Sequence, residues 1–343
     1  MCGDGANDCM ALRTADIGVS LSEEEASIAA PFTSKNQNIS CLVPLLKEGK
    51  SSLVTSIQTF KYMMMYSLIQ FMCVTLLNVL KSYLSENQFL SVDIFIIIPL
   101  AFFIPATGPY KYLTKHHPTD SLISYPVISS ILSQTLIALA FQLGAHFLVE
   151  YMIKDYVNFC LPDEDNCEIL ACPDNTAIFL MSNIQYLVTA IAFSISKPFK
   201  SPIYSNIYLT LFMLFGFAYS CVIILWQKKF ISHLLQLYNF DNPYDSFWDD
   251  RRKDYDDKAM EEEEEGGLVI LPEERFKFKD TQIKYYIQGL VLLYFAVSLT
   301  FERLIIPATT ACWNARKIER LRELKRRETE KALTMQQLFQ LSE

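Results

Sequence analysis

Six long apolar stretches, separated by charged connections, dominate the pattern of hydrophobic and polar positions along the 343 residues. A bilayer core about 30 Å thick is crossed by roughly 20 mostly apolar helical residues. The stretches that reach or approach this length are residues 62–80, 89–104, 127–152, 176–196, 207–226 and 283–306. We therefore predict a mainly α, multi-pass membrane protein with six transmembrane helices, in which residues 53–308 form the membrane domain.

The charges of the connections predict the side of the membrane that each one faces. Residues 111–117, residues 197–200 and the tail at 309–343 are basic, and basic connections are typical of the cytosolic side. Residues 153–174 and 228–281 are acidic and are placed on the opposite side. With an even number of spans, both chain ends lie in the cytosol. We predict membrane lipids as partners and no nucleic acid, and the oligomeric state stays open.

The chain opens with a compact polar turn, GDGAND at residues 3–8. Its glycines let the backbone approach a ligand closely, and Asp4 and Asp8 offer hard oxygens that suit Mg²⁺. A short helix over residues 9–15 and a short buried strand over residues 16–22 are predicted to follow. Because only two residues precede the turn, we expect no strand before it. The partner strands of a parallel α/β unit are then expected to be missing, so that the chain starts inside a domain.

Three cysteines lie in the first acidic connection, at Cys160, Cys167 and Cys172. If this connection faces an oxidising lumen, one disulfide among the three is plausible, and three free thiols are about equally plausible. A zinc site is less favoured, because no histidine lies nearby in the sequence.

Several motifs resemble one family in the same order along the chain. GDGANDCMAL, SLSEEEASIAAPFTS and LLKEGKSSLVTSIQTFKYMMMYSLIQF resemble the end of the phosphorylation domain and the fifth transmembrane helix of P-type ATPases. The cysteines on both sides of GDGAND, and NIQYLVTAIAFSISKPFKSPIYSN, resemble the type V subgroup B polyamine transporters of late endosomes and lysosomes. Soluble phosphatases share a GDGxND turn, but the predicted spans exclude that alternative.

The resemblance implies a domain organisation and an activity. Residues 1–52 would be the C-terminal remnant of a HAD-like α/β phosphorylation domain, together with the start of a stalk. The six predicted spans would correspond to the fifth to tenth transmembrane helices of a full-length P-type ATPase. The implied activity is ATP-driven export of polyamines from lumen to cytosol through an aspartyl phosphate. The segments that supply the aspartyl nucleophile and bind ATP lie upstream in the family, so the chain is expected to be a fragment without ATPase activity of its own. A helix dislocase of subgroup A and a non-catalytic scaffold remain alternatives.

The resemblance also assigns roles to the GDGAND turn. Asp4 is the implied Mg²⁺ ligand, with Asp8 as a second candidate. Asn7 and Asp8 are implied to hydrogen-bond the phosphoryl group or a water of the Mg²⁺ ion. The alternative for Asn7 and Asp8 is simple capping of the following helix.

A candidate substrate site lies in the apolar second half of a long predicted helix and in the span that follows it. Residues 44–80 carry a charged half and an apolar half, so one helix of about 55 Å can run from cytosol into bilayer. Tyr66 and Gln70 lie four residues apart on one face, with Gln70 near the bilayer midplane, and Asp93 is a carboxylate in the next span. The resemblance aligns all three with polyamine-contacting positions, although Asp93 could also be interfacial. Pro99 is predicted to kink or unwind the helix after Asp93.

Overall fold

The computed structural model describes residues 1–21, 30–36, 38–80, 82–119, 121–152, 172–195, 197–240, 280–320 and 322–323. Cys160 and Cys167, two of the three cysteines that could form either one disulfide or free thiols, lie outside the described residues, as does most of the basic tail. Cys172 lies at the start of a helix, where its Sγ is 3.3 Å from Ser82 Oγ.

A small parallel sheet and one short helix form the amino-terminal unit. The strands β1 (Cys2–Gly3), β2 (Val19–Ser20) and β3 (Phe32–Thr33) pair in this order. The helix α1 (Cys9–Thr14) connects β1 to β2. The helix and the second strand confirm the predicted order of turn, helix and strand.

The expectation that no strand precedes the GDGAND turn is wrong. The backbone amide of Val19 donates to the carbonyl of Met1, and that of Leu21 donates to the carbonyl of Gly3, both at 2.9 Å. Parallel pairing on both sides of β2 satisfies backbone groups that the interior would otherwise leave without partners. A strand of two residues is too short to show a period of hydrophobicity, and for this reason the sequence pattern missed it.

The long helix α2 (Leu42–Val79) has 38 residues, about 57 Å at 1.5 Å per residue, and confirms the single rod predicted for residues 44–80. Two lysines attach its first half to the connection between the second and third predicted spans. Lys47 Nζ donates to the carbonyl of Lys111 at 2.6 Å, and Lys50 Nζ donates to the carbonyl of Thr114 at 2.7 Å. The polar end of α2 is therefore held by backbone carbonyls of the basic connection.

The second predicted span is one helical rod with a wider turn inside it. It consists of α3 (Glu86–Val92), a π-helical turn (Asp93–Ile97) and α4 (Ile98–Phe103). The expected kink or unwinding at Pro99 takes the form of this π turn, in which the amide of Ile98 donates to the carbonyl of Asp93. Pro99 has no amide to donate, and the π turn accommodates this loss without breaking the rod.

The remaining α-helices that the structure describes complete a bundle. They are α5 (Tyr125–Met152), α6 (Pro173–Ala192), α7 (Ile207–Leu225), α8 (Lys229–Leu235) and α9 (Asp280–Thr300). A π-helical turn (Phe301–Ile305) extends α9 into a further helical segment at residues 306–320.

Among the described residues, five helices are long and apolar enough to cross a membrane. They contain α2, the rod of α3 and α4, α5, α7, and α9 with its extension. The structure thus confirms a mainly α, multi-pass architecture with a small sheet. The predicted fourth span, residues 176–196, corresponds to α6, which is not among these five, and the count of six stays a prediction.

Helix α6 is the centre of the bundle. Every residue of α6 except Ile191 is buried, and the helix contacts α2, α5, α7 and α9. It therefore carries polar side chains on several faces. Gln185 shows how these are satisfied, because its Oε1 accepts from Gln142 Nε2 and its Nε2 donates to the carbonyl of Ala138, both at 2.9 Å. Other helices enclose α6, so its sequence need not be as apolar as that of a lipid-facing helix.

Candidate functional site

The GDGAND turn is closed around the side chain of Asp8. Asp8 Oδ2 accepts from the backbone amide of Asp4 at 3.3 Å, and the amide of Asp8 donates to the carbonyl of Gly5 at 3.1 Å. Gly3 leaves room for this arrangement, because a Cβ at Gly3 would lie 2.6 Å from Asp8 Oδ2. Asp8 precedes α1, but its side chain makes no capping hydrogen bond to that helix. The carboxylate of Asp8 thus holds the shape of the turn.

The exposed groups of the same turn suit a partly hydrated cation. Asp4 and Asn7 are exposed, whereas Asp8 is half-buried. Within the described residues, no group of three or more His, Cys, Asp or Glu side chains could hold a metal ion. Mg²⁺ keeps several waters and is often bound by one or two carboxylates together with phosphate oxygens. One exposed carboxylate beside a constrained one fits that mode, and Asp4 and Asp8 stay predictions as Mg²⁺ ligands.

The predicted substrate residues of the two membrane rods lie close together in the structure. The hydroxyl of Tyr66 on α2 donates to Asp93 Oδ1 at 2.9 Å, which joins α2 to the first residue of the π turn. Tyr66, Gln70 and Asp93 are all half-buried, so each retains an accessible portion. The hydrogen bond from Tyr66 occupies one of the two oxygens of the Asp93 carboxylate.

Tyr186 on α6 is a fourth member of this cluster, and sequence reasoning did not single it out. Its hydroxyl donates to Gln70 Oε1 at 2.6 Å, and its ring centroid lies 5.7 Å from that of Tyr66. Tyr186 is separated from Gln70 by 116 residues, so no local spacing connects the two. The contact depends on how α6 packs against α2, and this packing is visible only in the structure.

Asp93 has no basic partner within the part of the chain that the structure describes. A lysine on the same rod as Tyr66, Lys61, is instead paired with Glu302 at 2.7 Å. Glu302 also accepts from the hydroxyl of Ser130, and the ring of Phe193 lies 4.2 Å from Lys61 Nζ. The charge of Lys61 is therefore compensated locally, whereas no basic side chain of the described residues pairs with Asp93.

Comparison with known proteins shows that the chain is homologous to P-type transporting ATPases of the 13A group. This finding confirms the resemblance predicted from its motifs. No family model matches the chain.

Three relatives illustrate the similarity. Mouse "Polyamine-transporting ATPase 13A3" (Mus musculus) is 38% identical over 259 residues, or 69% of this chain and 21% of the relative. Mouse "Polyamine-transporting ATPase 13A2" is 42% identical over 210 residues, or 60% of this chain and 18% of the relative. "Vacuolar cation-transporting ATPase YPK9" of Saccharomyces cerevisiae is 36% identical over 247 residues, or 72% of this chain and 16% of the relative. The chain thus spans about a fifth of the length of these relatives.

Proposed function

We propose that the chain supplies the substrate-binding helices and the Mg²⁺-binding turn of an ATP-driven transporter of polyamines. The observation that carries the proposal is the Asp93 carboxylate, which lies on a membrane rod without a basic partner in the described chain and is bound by the hydroxyl of Tyr66. The homologues named as polyamine-transporting ATPases support the same substrate class.

The chemistry of the cluster suits a flexible chain of ammonium groups. Removing an ammonium group from water is costly unless a carboxylate and polar groups replace the lost hydration. Asp93 supplies the opposite charge through its second oxygen, and the carbonyl oxygen of Gln70 supplies a neutral acceptor. The ring of Tyr66 adds a surface that attracts cations. One carboxylate with aromatic neighbours fits a polyamine better than a metal ion, which would require several oxygen ligands close together.

The amino-terminal turn is the proposed link to phosphoryl transfer. Asp4 would hold the Mg²⁺ ion with help from Asp8, and the ion would neutralise charge that develops on the phosphate oxygens. Asn7 is exposed in the same turn as Asp4 and can donate a hydrogen bond from its carboxamide to a phosphate oxygen. ATP would be bound by parts of the relatives that lie outside the matched region. Helix α2 begins after the last strand of the sheet and reaches Tyr66 and Gln70, so it can transmit movement of the turn to the substrate cluster.

The proposed direction of transport is from lumen to cytosol. The proposed location of this multi-pass membrane protein is the membrane of the late endosome, lysosome or vacuole. The basic connections support a cytosolic location for the turn and for the polar end of α2. The relative from yeast is named as a vacuolar protein, which supports an endomembrane location.

Replacing Asp93 with Asn tests the proposal in a chimera in which this chain substitutes for the region of mouse polyamine-transporting ATPase 13A3 that it matches. Asn keeps the shape of the side chain but removes its charge. We expect the half-maximal spermine concentration for dephosphorylation of the phosphoenzyme to rise about 30-fold to 1,000-fold, about 2 to 4 kcal/mol, with phosphorylation by ATP retained.

Glu86→Gln is the matched control, since Glu86 is an exposed carboxylate at the start of the same rod. It should leave the spermine response unchanged. An Asp93→Asn chimera that responds to spermine as the unsubstituted chimera does would show that Asp93 is an interfacial residue and that the proposed site is wrong.

A further inference from the structure

Tyr186 is buried behind the accessible residues of the candidate substrate cluster. It lies on α6, the helix that the other helices enclose, and only 1% of its surface is exposed. Gln70 and Tyr66, in contrast, are half-buried on α2. A ligand that reaches the accessible portions of Gln70 and Tyr66 therefore does not reach Tyr186 itself.

Two contacts connect Tyr186 to the accessible residues. The Tyr186 hydroxyl donates to Gln70 Oε1 at 2.6 Å, a short hydrogen bond for an O–H donor. Its ring packs against the ring of Tyr66 at a centroid distance of 5.7 Å and an interplanar angle of 55°, within the range of favourable tilted aromatic pairs. Tyr66 in turn binds Asp93. Tyr186 therefore contacts both residues of α2 that belong to the cluster.

We propose that Tyr186 is a positioning residue of the polyamine site, which sets the orientation of the Gln70 carboxamide and of the Tyr66 ring. This inference rests on the proposed function. The substrate group that benefits is an ammonium group, which donates hydrogen bonds and needs fixed acceptors.

The hydrogen-bonding capacity of the carboxamide explains how Tyr186 acts. The carbonyl oxygen of Gln70 has two lone pairs, and the Tyr186 hydroxyl occupies one of them. The other lone pair remains for an ammonium N–H, in a direction that the bond to Tyr186 fixes. Without this bond, the half-buried carboxamide rotates among several orientations, and the substrate has to order it on binding. The loss then appears in polyamine affinity and leaves phosphoryl transfer at the distant turn unchanged.

Tyr186→Phe in the chimera described above removes the hydroxyl and keeps the ring. We expect the half-maximal spermine concentration for dephosphorylation to rise about three- to tenfold, the usual net effect of one hydrogen bond. The phosphoenzyme level formed from ATP should stay unchanged, which also shows that the variant is folded.

Tyr62→Phe is the matched control. Tyr62 lies one turn before Tyr66 on α2 and is 1% exposed, and its hydroxyl has no hydrogen-bond partner among the described residues. Removing this hydroxyl should leave the spermine response unchanged. The comparison separates the bond to Gln70 from a general effect of losing a buried tyrosine hydroxyl.

A double-mutant cycle with Gln70→Met tests the route through Gln70. In the Gln70→Met background there is no carboxamide to orient, so Tyr186→Phe should change the half-maximal spermine concentration by less than about twofold. Gln70→Asn is a second way to remove the bond, because its shorter side chain withdraws the carboxamide from Tyr186. It should weaken the response at least as much as Tyr186→Phe.

The outcomes separate this inference from the proposed function. If the unsubstituted chimera responds to spermine and Asp93→Asn weakens the response as expected, but Tyr186→Phe behaves like Tyr62→Phe, the positioning role is refuted and the proposed function stands. Equal effects of Tyr186→Phe with and without the Gln70→Met substitution would also refute it. If the unsubstituted chimera does not respond to spermine, both proposals fail.

Discussion

The buried ion pair between Lys61 and Glu302 gives a prediction whose size follows from the structure. The two side chains are 7% and 9% exposed, and Lys61 Nζ lies 2.7 Å from Glu302 Oε1. They join α2 to the π turn that follows α9, at a point where the hydroxyl of Ser130 on α5 also donates to Glu302. Glu302→Gln removes the negative charge from this junction while it keeps the shape of the side chain.

The expected loss of stability follows from the strength of the buried ion pair. Two unit charges at this separation attract each other by about 6 kcal/mol at an effective dielectric constant of about 20. Removing one partner of a buried pair typically costs about 3 to 5 kcal/mol. Gln keeps a carbonyl oxygen that accepts from Lys61, and the Phe193 ring still faces the ammonium group. We therefore expect a loss of about 3 kcal/mol.

Unfolding of the purified chain in detergent, followed by circular dichroism during a denaturant titration, measures this loss. Glu319→Gln is the control, because Glu319 is exposed on the helical segment that extends α9. The double variant Lys61→Met/Glu302→Met should recover most of the stability, since two apolar side chains of similar length replace the pair. A Glu302→Gln variant within about 0.5 kcal/mol of the unsubstituted chain would refute the view that this pair is buried and joins the helices.

Two further predictions concern the loop before α7 and the turn before α1. Burial lowers the pKa of Lys200 to about 8, whereas in the unfolded chain the lysine keeps its proton up to about pH 10.5. Because the folded chain loses this proton first, the free energy of unfolding should rise by up to about 3 kcal/mol between pH 8 and 10.5. Unfolding titrations at pH 7.5 and 10 should show this rise as a difference between the unsubstituted chain and Lys200→Met, and parallel pH profiles would contradict it. Gly3→Ala places a Cβ 2.6 Å from the Asp8 carboxylate and should lower phosphoenzyme formation in the chimera at least about tenfold, whereas Gly49→Ala, which meets nothing within 4 Å, should not. Equal phosphoenzyme levels in the two glycine variants would show that the shape of the turn does not matter for phosphoryl transfer.

The elements that the sequence predicted well are those whose signal is local and long. Helix α2 was predicted nearly to its observed ends, because its charged and apolar halves form one uninterrupted stretch. Strand β1 was missed, because two residues carry no period and their pairing partner lies 17 residues away at Val19. Helix α6 was predicted as a span from its length. The hydrogen-bond partners of polar residues such as Gln185 and Tyr186 lie on the surrounding helices, so the sequence of α6 alone does not explain these residues.

The candidate site shows the same division between local and distant information. Tyr66, Gln70 and Asp93 were singled out by spacing, by depth in the membrane and by resemblance, and the structure brings Tyr66 and Asp93 into contact. The role of Tyr186 depends on the packing of α6 against α2, which is set by the whole bundle. Likewise, the exposed Asp4 and the constrained Asp8 differ only because the turn folds back on itself.

The most direct test of the central claim is ATP-driven transport of radiolabelled spermine by vesicles that contain the chimera with mouse polyamine-transporting ATPase 13A3. We expect the unsubstituted chimera to move spermine from the luminal to the cytosolic side, and we expect Asp93→Asn to reduce the initial rate at least about 30-fold at low spermine concentration while Glu86→Gln does not. ATP-driven spermine transport that persists at the full rate in the Asp93→Asn chimera, or its absence from an unsubstituted chimera that still forms the phosphoenzyme, would contradict the account.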